Sequence, residues 1–220
     1  SVTDTSRFRQ WKRDFDSLIK INQVPHLNTL RMINDHTTGL RTGTATPFAA
    51  VADNDLAVGL FVDYLSHSKI WNQSVVFIIE DDAQNGPDHV DAHRTTAYIA
   101  GGYIKNNFVD HTMYSTTSML RTMELILGLP PMSQYDAAAT PMWNCFSLDG
   151  NHTAFNHIPS NINLAEKNLA MNNEWQKMSN SFNFAKEDRV DDEQFNKVIW
   201  AAVKGNLLQY PAIVHAAFVK

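Results

Sequence analysis

The run Val75-Val76-Phe77-Ile78-Ile79 ends in three consecutive acids, Glu80, Asp81 and Asp82. Asp88, His89, Asp91 and His93 follow within the next eleven residues. Adjacent carboxylates repel, so three in a row cost free energy unless a cation or water offsets them. Carboxylates and imidazoles gathered at the end of a buried strand form the donor set of a divalent-metal site. In open α/β sheets that end of the strands is also where ligands bind. The same residues suit a second reading, an acidic solvated turn, for which Asn85-Gly86-Pro87 supplies the turn chemistry. Spacing alone weighs the two equally. His89 and His93 stand four apart, as on one helical face, but Pro87-Asp88 marks a helix start rather than a helix middle. His67 and His111 read as histidines satisfied by a hydrogen bond. His26, His152, His157 and His215 have no supporting context.

The elements that must hold such a site follow from periodicity. Phe8, Trp11, Phe15 and Leu18 recur at three and four residues among charged neighbours and predict an amphipathic helix. After Pro25, Leu27–Ile33 reads as a short strand ending at Asn34-Asp35-His36. A Thr/Gly-rich loop from Thr37 to Pro47 follows, then a helix over Phe48–Ser66 with Val51, Leu56, Leu60 and Leu65 as its buried side. Val75–Ile79 is the clearest strand, continuously apolar as expected when both faces are covered. Thr95–Ala100 is another. Ser115–Leu127 is a capped helix with Met119, Leu120, Met123, Ile126 and Leu127 as its apolar side, stopped by Gly128 and Pro130-Pro131. Ser133–Asn163 is loop-rich, and a last helix spans Asp191–Lys204 on Phe195, Ile199, Trp200 and Val203. Strands separated by helices predict an α/β fold with a largely parallel sheet. Three strands are few for 220 residues.

Composition narrows the function classes. With 44% hydrophobic and 19% charged residues the chain can bury a core. Lys plus Arg is 18 against 23 for Asp plus Glu, a net charge of −5, with no basic block to meet nucleic acid. The apolar runs are far too short to span a bilayer. Cys145 is the sole cysteine, which excludes an internal disulfide framework and any multi-cysteine metal site.

Several strings are recognisable in order and spacing: Asn34-Asp35-His36-Thr37-Thr38-Gly39, Ala52-Asp53-Asn54-Asp55, Ser66-His67-Ser68-Lys69-Ile70-Trp71, Glu80 through Arg94, Ser115 through Thr122, and Leu127-Gly128-Leu129-Pro130-Pro131. Together they resemble the C-terminal half of bacterial phosphoesterases of the alkaline phosphatase superfamily. The nearest group includes acid phosphatases and phospholipase C enzymes, and in some members the domain follows a β-propeller. The likeness runs from about Thr5 to Pro211. It implies a partial alkaline-phosphatase-like domain, a mostly parallel sheet flanked by helices. Residues 1–132 would be its metal-site-bearing part and 133–220 a loop-rich and helical C-terminal part.

The resemblance also implies chemistry. Such enzymes use a Ser or Thr nucleophile beside divalent cations and hydrolyse phosphate mono- or diesters. By position, Asp81 and Asp82 match the acidic metal ligands, and Asp35-His36 matches an Asp-His pair that reaches metal or phosphate. His89 and His93 are equal candidates for a remaining imidazole ligand or a phosphate contact. Arg94 offers a fork of donors to phosphate, or else a structural salt bridge. Asp81-Asp82 replaces the Asp-His of two-zinc relatives, which favours calcium, magnesium or manganese over a pure zinc site, with identity and number open. Nothing before Asp35 matches the half that carries the nucleophile. Thr37, Thr38 and Thr44 lack the strand-to-helix context for that role. The chain is therefore expected to be inactive alone, with its nucleophile upstream of Ser1. A truncated sheet would expose an edge and an apolar face and favour self-association. Family analogy puts the protein in the periplasm or outside the cell. The rival reading is a non-catalytic cation-binding or structural module of the same origin.

Overall fold

The computed structural model describes residues 2–80, 95–150, 152–185, 189–205 and 209–210. Thr3 is extended, and its side chain accepts from the Ser6 N–H, which starts helix α1 at Asp4–Lys20. Thr46 caps helix α2, Pro47–Ser66, in the same way through the Ala49 N–H, and Pro47 stands in the first turn where its missing N–H costs nothing. The two helices meet through aromatic rings. Trp11 stacks on Phe15 at 4.4 Å between centroids and lies 4.7 Å from Phe61. With Val62, Leu65, Trp71 and Val76 these rings make the larger core cluster.

The buried side of α2 differs from the expected one. Ala49, Ala50, Asp53, Ala57, Val62 and Leu65 face inward, and Val51 is exposed. Small side chains let α1 and the Asn34–His36 turn approach the helix closely, and the larger apolar residues are left toward its flanks. Leu27–Ile33 forms no strand. Its last amides are taken by a carboxylate: Ile33 N–H and Asn34 N–H donate to Asp4 at 3.1 and 2.7 Å.

Among the described residues there are two strands, β1 (Val75–Ile79) and β2 (Ala97–Gly101), and they pair antiparallel from Val75↔Gly101 to Ile79↔Ala97. The fold is thus mixed α and β with a small antiparallel sheet, and the expected parallel sheet is not seen among these residues. The reason is visible at the strand ends. Glu80 N–H donates to Thr96 O at 3.3 Å, and Thr95 Oγ1 donates to Glu80 O at 2.9 Å. The chain returns beside the strand it left, whereas a parallel neighbour would need a crossover to the far end. Successive side chains of β1 point to opposite faces. Val76 and Ile78 join the α1–α2 cluster, and Phe77 joins a second cluster with Met119, Met142 and Cys145. Val76, Phe77 and Ile78 thus pack on both sides of the sheet, while Ile79 at the strand end is exposed.

Helix α3 spans Thr116–Leu127 with Ser115 and Ser118 in a capping box. It ends at Gly128 (φ 69°), and Leu129 N–H reaches back to Glu124 O at 2.8 Å. Met119 is buried as expected, but Leu120 and Ile126 are exposed, while Ser118, Thr122 and Glu124 are buried. Helices α4 (Gln134–Ala138) and α5 (Glu174–Ser181) lie in the C-terminal part read as loop-rich and helical, and α6 spans Asp192–Lys204. No described helix is long and apolar enough to cross a membrane.

Candidate functional site

The Asn34–His36 turn is a single 3-10 turn, too short to hold itself, and buried carboxylates hold it. Asp4 has no exposed surface and Asp53 has 4%. A charge in that setting survives only if its lone pairs are used. Asp4 accepts from Arg7 Nη1 (2.7 Å) and Ile33 N–H (3.1 Å) on Oδ1, and from Asn34 N–H (2.7 Å) and Asn54 Nδ2 (3.1 Å) on Oδ2. Asp53 accepts from Asp4 N–H (2.6 Å), Thr5 Oγ1 (2.8 Å) and Asn34 Nδ2 (2.7 Å). With their oxygens so occupied, both carboxylates act as scaffold.

Asp35 is what this scaffold supports. Asn54 Nδ2 bridges from Asp4 to Asp35 Oδ1 at 3.0 Å, which fixes the half-buried Asp35 carboxylate relative to α2. His36 is exposed on one side, and its ring stacks on Phe195 of α6 at 6.0 Å and 27°. The next residue, Thr37, has φ 48°, and its N–H closes the turn on Asn34 O at 3.0 Å.

The Thr/Gly loop behind the turn is fastened by the C-terminal part of the chain. Asn168 Nδ2 donates to Gly39 O (2.9 Å), Arg41 O (3.2 Å) and Ala45 O (3.1 Å). Gln176 Nε2 donates to Leu40 O at 3.1 Å. Ser179 Oγ accepts from Leu40 N–H (3.0 Å) and donates to Thr38 O (2.9 Å). The loop's own hydroxyls are engaged as well: Thr38 Oγ1 donates to Thr44 Oγ1 at 2.9 Å, and Thr37 Oγ1 accepts from Gly39 N–H at 3.3 Å.

Of the predicted site residues, Asp35 and His36 sit side by side in this clamped turn. Asp81, Asp82, His89, His93 and Arg94 lie outside the described residues. Among the described residues no group of three or more His, Cys, Asp or Glu side chains is placed to hold a metal ion. Asp35 carries the oxygen chemistry that a hard divalent cation takes.

Sequence reasoning passed over the scaffold. Asp53 sat within a quoted string but was given no role. Its register was a signal: it falls among Ala49, Ala50 and Ala57 on the inward face of α2, where an ionised side chain needs a reason. His157 was also passed over. Its Nδ1 lies 2.6 Å from Asp63 Oδ2, and its N–H donates to the same oxygen at 2.9 Å. A carboxylate only accepts, so the ring proton sits on Nδ1. His67 Nδ1 stands 3.1 Å from Asp63 Oδ1. The His157 contacts hold the Asp63 carboxyl below the usual carboxylate range, the backbone N–H first and the ring second. Together with Ser66, whose Oγ accepts from Phe155 N–H at 2.9 Å, Asp63 pins an extended segment along the end of α2.

No protein-family model matches the chain, and neither a search of curated proteins nor one of solved structures finds a match.

Proposed function

We propose that the chain is part of a metal-dependent phosphoesterase domain that hydrolyses phosphate mono- or diesters. The observation that supports this most is the Asn34–His36 turn, where two buried carboxylates, Asp4 and Asp53, accept three hydrogen bonds from the Ile33 and Asn34 backbone and the Asn34 side chain and so hold Asp35 and His36 in place. Buried charge spent on a three-residue turn is costly unless the turn has work to do. In this reading Asp35 binds a divalent cation together with Asp81, Asp82 and one of His89 and His93, while His36 and Arg94 contact the phosphoryl group. The cation is calcium, magnesium, manganese or zinc. When bound, it supplies charge neutralisation at the phosphoryl oxygens and activation of the nucleophile. The two-stranded sheet would then be one portion of a larger, mostly parallel alkaline-phosphatase-like sheet, in a protein of the periplasm or exterior, with a β-propeller upstream as in some members of the family it resembles.

The test is hydrolysis of p-nitrophenyl phosphate and bis(p-nitrophenyl) phosphate by the intact protein, with and without chelator. Chelator-sensitive turnover is expected, and Asp35→Ala should reduce it by roughly a hundredfold or more, as loss of a metal-holding or charge-stabilising group does. The absence of metal-dependent turnover on either ester would overturn the reading. Retained cation binding without turnover would favour the non-catalytic cation-binding module instead.

A further inference from the structure

Between Ser115 and Phe146 the charged side chains are Arg121, Glu124 and Asp136. Glu124, near the end of α3, is 5% exposed, and Asp136, in α4, is 2% exposed. The other buried polar groups of α3 are provided for. Thr122 Oγ1 donates to Ser118 O at 2.7 Å and accepts from Met142 N–H at 2.9 Å. Asp136 is used on both oxygens: Ser133 Oγ donates to Oδ1, and Met132 N–H donates to Oδ2 at 2.6 Å. Glu124 is used on one. Arg121 Nη1 stands 3.2 Å from Oε2, whereas Oε1 is buried and meets no donor among the described residues. The group within hydrogen-bond reach of the Glu124 side chain is the Asp136 carboxyl.

Two ionised carboxylates do not make that contact. Neither has a proton to give, and their repulsion grows as water is excluded. Arg121 balances one negative charge and leaves the second buried without a counter-charge. A proton on Glu124 closes the set. Its O–H then donates to Asp136, its carbonyl oxygen accepts from Arg121, and one cation stands with one anion. Asp136 is the ionised member. The Ser133 hydroxyl, more than Glu124, holds its carboxyl below the usual carboxylate range despite burial.

We propose that Glu124 and Asp136 share one proton at neutral pH, and that this proton latches α4 to the end of α3. Exposed Asp and Glu titrate near about 3.9 and 4.3, so in the unfolded chain both are ionised at pH 7. A folded pair that keeps a proton is stabilised on the acid side and loses that stabilisation as rising pH removes the proton. Two like charges then face each other and the α3–α4 corner opens. Arg121 keeps its charge throughout. The other titratable groups of this region stand apart: Tyr135 is 71% exposed, and Cys145 Sγ lies 3.8 Å from Asp110 Oδ2.

Carbon-13 resonances of the Glu and Asp side-chain carboxyls, followed from pH 4 to pH 10 in the unsubstituted chain, test this directly. At pH 7 the Glu124 carboxyl carbon should stand at the neutral-acid position and that of Asp136 at the ionised position. Asp136→Asn should move the Glu124 transition to lower pH by roughly one unit or more. Glu124→Gln, which offers an N–H in place of the O–H, should gain on the unsubstituted chain as pH rises, by roughly 3 °C or more in melting temperature between pH 5 and pH 9. Both carbons ionised at pH 7 would overturn the proposal. So would a Glu124 transition that Asp136→Asn leaves in place, since burial alone would then hold the proton. If Asp136→Asn does not fold, a melting-temperature difference for Glu124→Gln that is flat across pH overturns it equally.

Discussion

Asp53 shows how one side chain can carry a neighbourhood. It offers oxygens to a helix N-terminus, a hydroxyl and an amide at once. Asp53→Ala takes the acceptor from the buried Asp4 N–H and from the part-buried Asn34 side-chain amide, while Thr5 Oγ1 keeps a contact to Thr3 Oγ1 at 3.1 Å. A loss of roughly 3 kcal/mol is expected, seen as a fall in melting temperature of about 6–12 °C for a chain of this size. Asp63 makes a prediction about acidity. Its folded pKa is depressed, so its contribution to stability is present above the unfolded value of about 3.9 and is lost as pH falls through the lower folded value. The segment around His157 should stay latched at pH 5 and loosen below about pH 4, followed through the His157 amide resonance in a pH titration. Asp63→Asn should flatten that acid limb. At this scale the sequence was partly legible. Asp35 and His36 were singled out by the family resemblance alone, and Asp4 and Asp53 were not singled out, because their partners lie about 30 to 50 residues away along the chain.

Among elements, the turns and caps matter as much as the helices. Gly39 has φ 61°, and a Cβ there would stand 2.9 Å from Val198 Cγ1 and 3.0 Å from Ser179 Oγ. Gly128 has φ 69° but meets nothing within 4 Å. Gly128→Ala should therefore cost only the left-handed backbone term, about 1–2 kcal/mol. Gly39→Ala should cost more, roughly 3 kcal/mol, because α5 and α6 must also give way. Urea denaturation of the two variants side by side checks the difference. Element existence was legible where local signals agree: both long N-terminal helices, β1, β2, α3 and α6 fall close to their expected spans. Facing was less so. α2 buries alanines because its neighbours pack close, and α3 buries hydroxyls because a loop amide and a backbone carbonyl meet them there. Neither preference is written in a hydrophobic period. Strand direction was illegible for a similar reason, since the stretch between β1 and β2 is long enough for either a crossover or a return.

Across the whole molecule, the Thr/Gly loop near residue 40 and the segment around Asn168 are laced together. Asn168 binds three carbonyls of the Thr/Gly loop, and Gly43 N–H and Thr46 N–H return bonds to Asn168 O (2.9 Å) and Glu166 O (3.2 Å). Asn168→Ala should destabilise the fold by about 2–3 kcal/mol and speed hydrogen exchange at the Gly43 and Thr46 amides more than at β1, as a local opening does. If β1 amides accelerate equally, the loop and the sheet open as one unit. The stitch between Glu80 and Thr96 has a different consequence. The sheet therefore closes at a hydrogen-bonded pair, Glu80 and Thr96, that stands opposite in the same register as Ile79 and Ala97. An Asn-Gly turn spliced directly between Glu80 and Thr96 meets the geometry of a two-residue hairpin, which would give a stripped scaffold for transplanting other binding loops onto the same two strands.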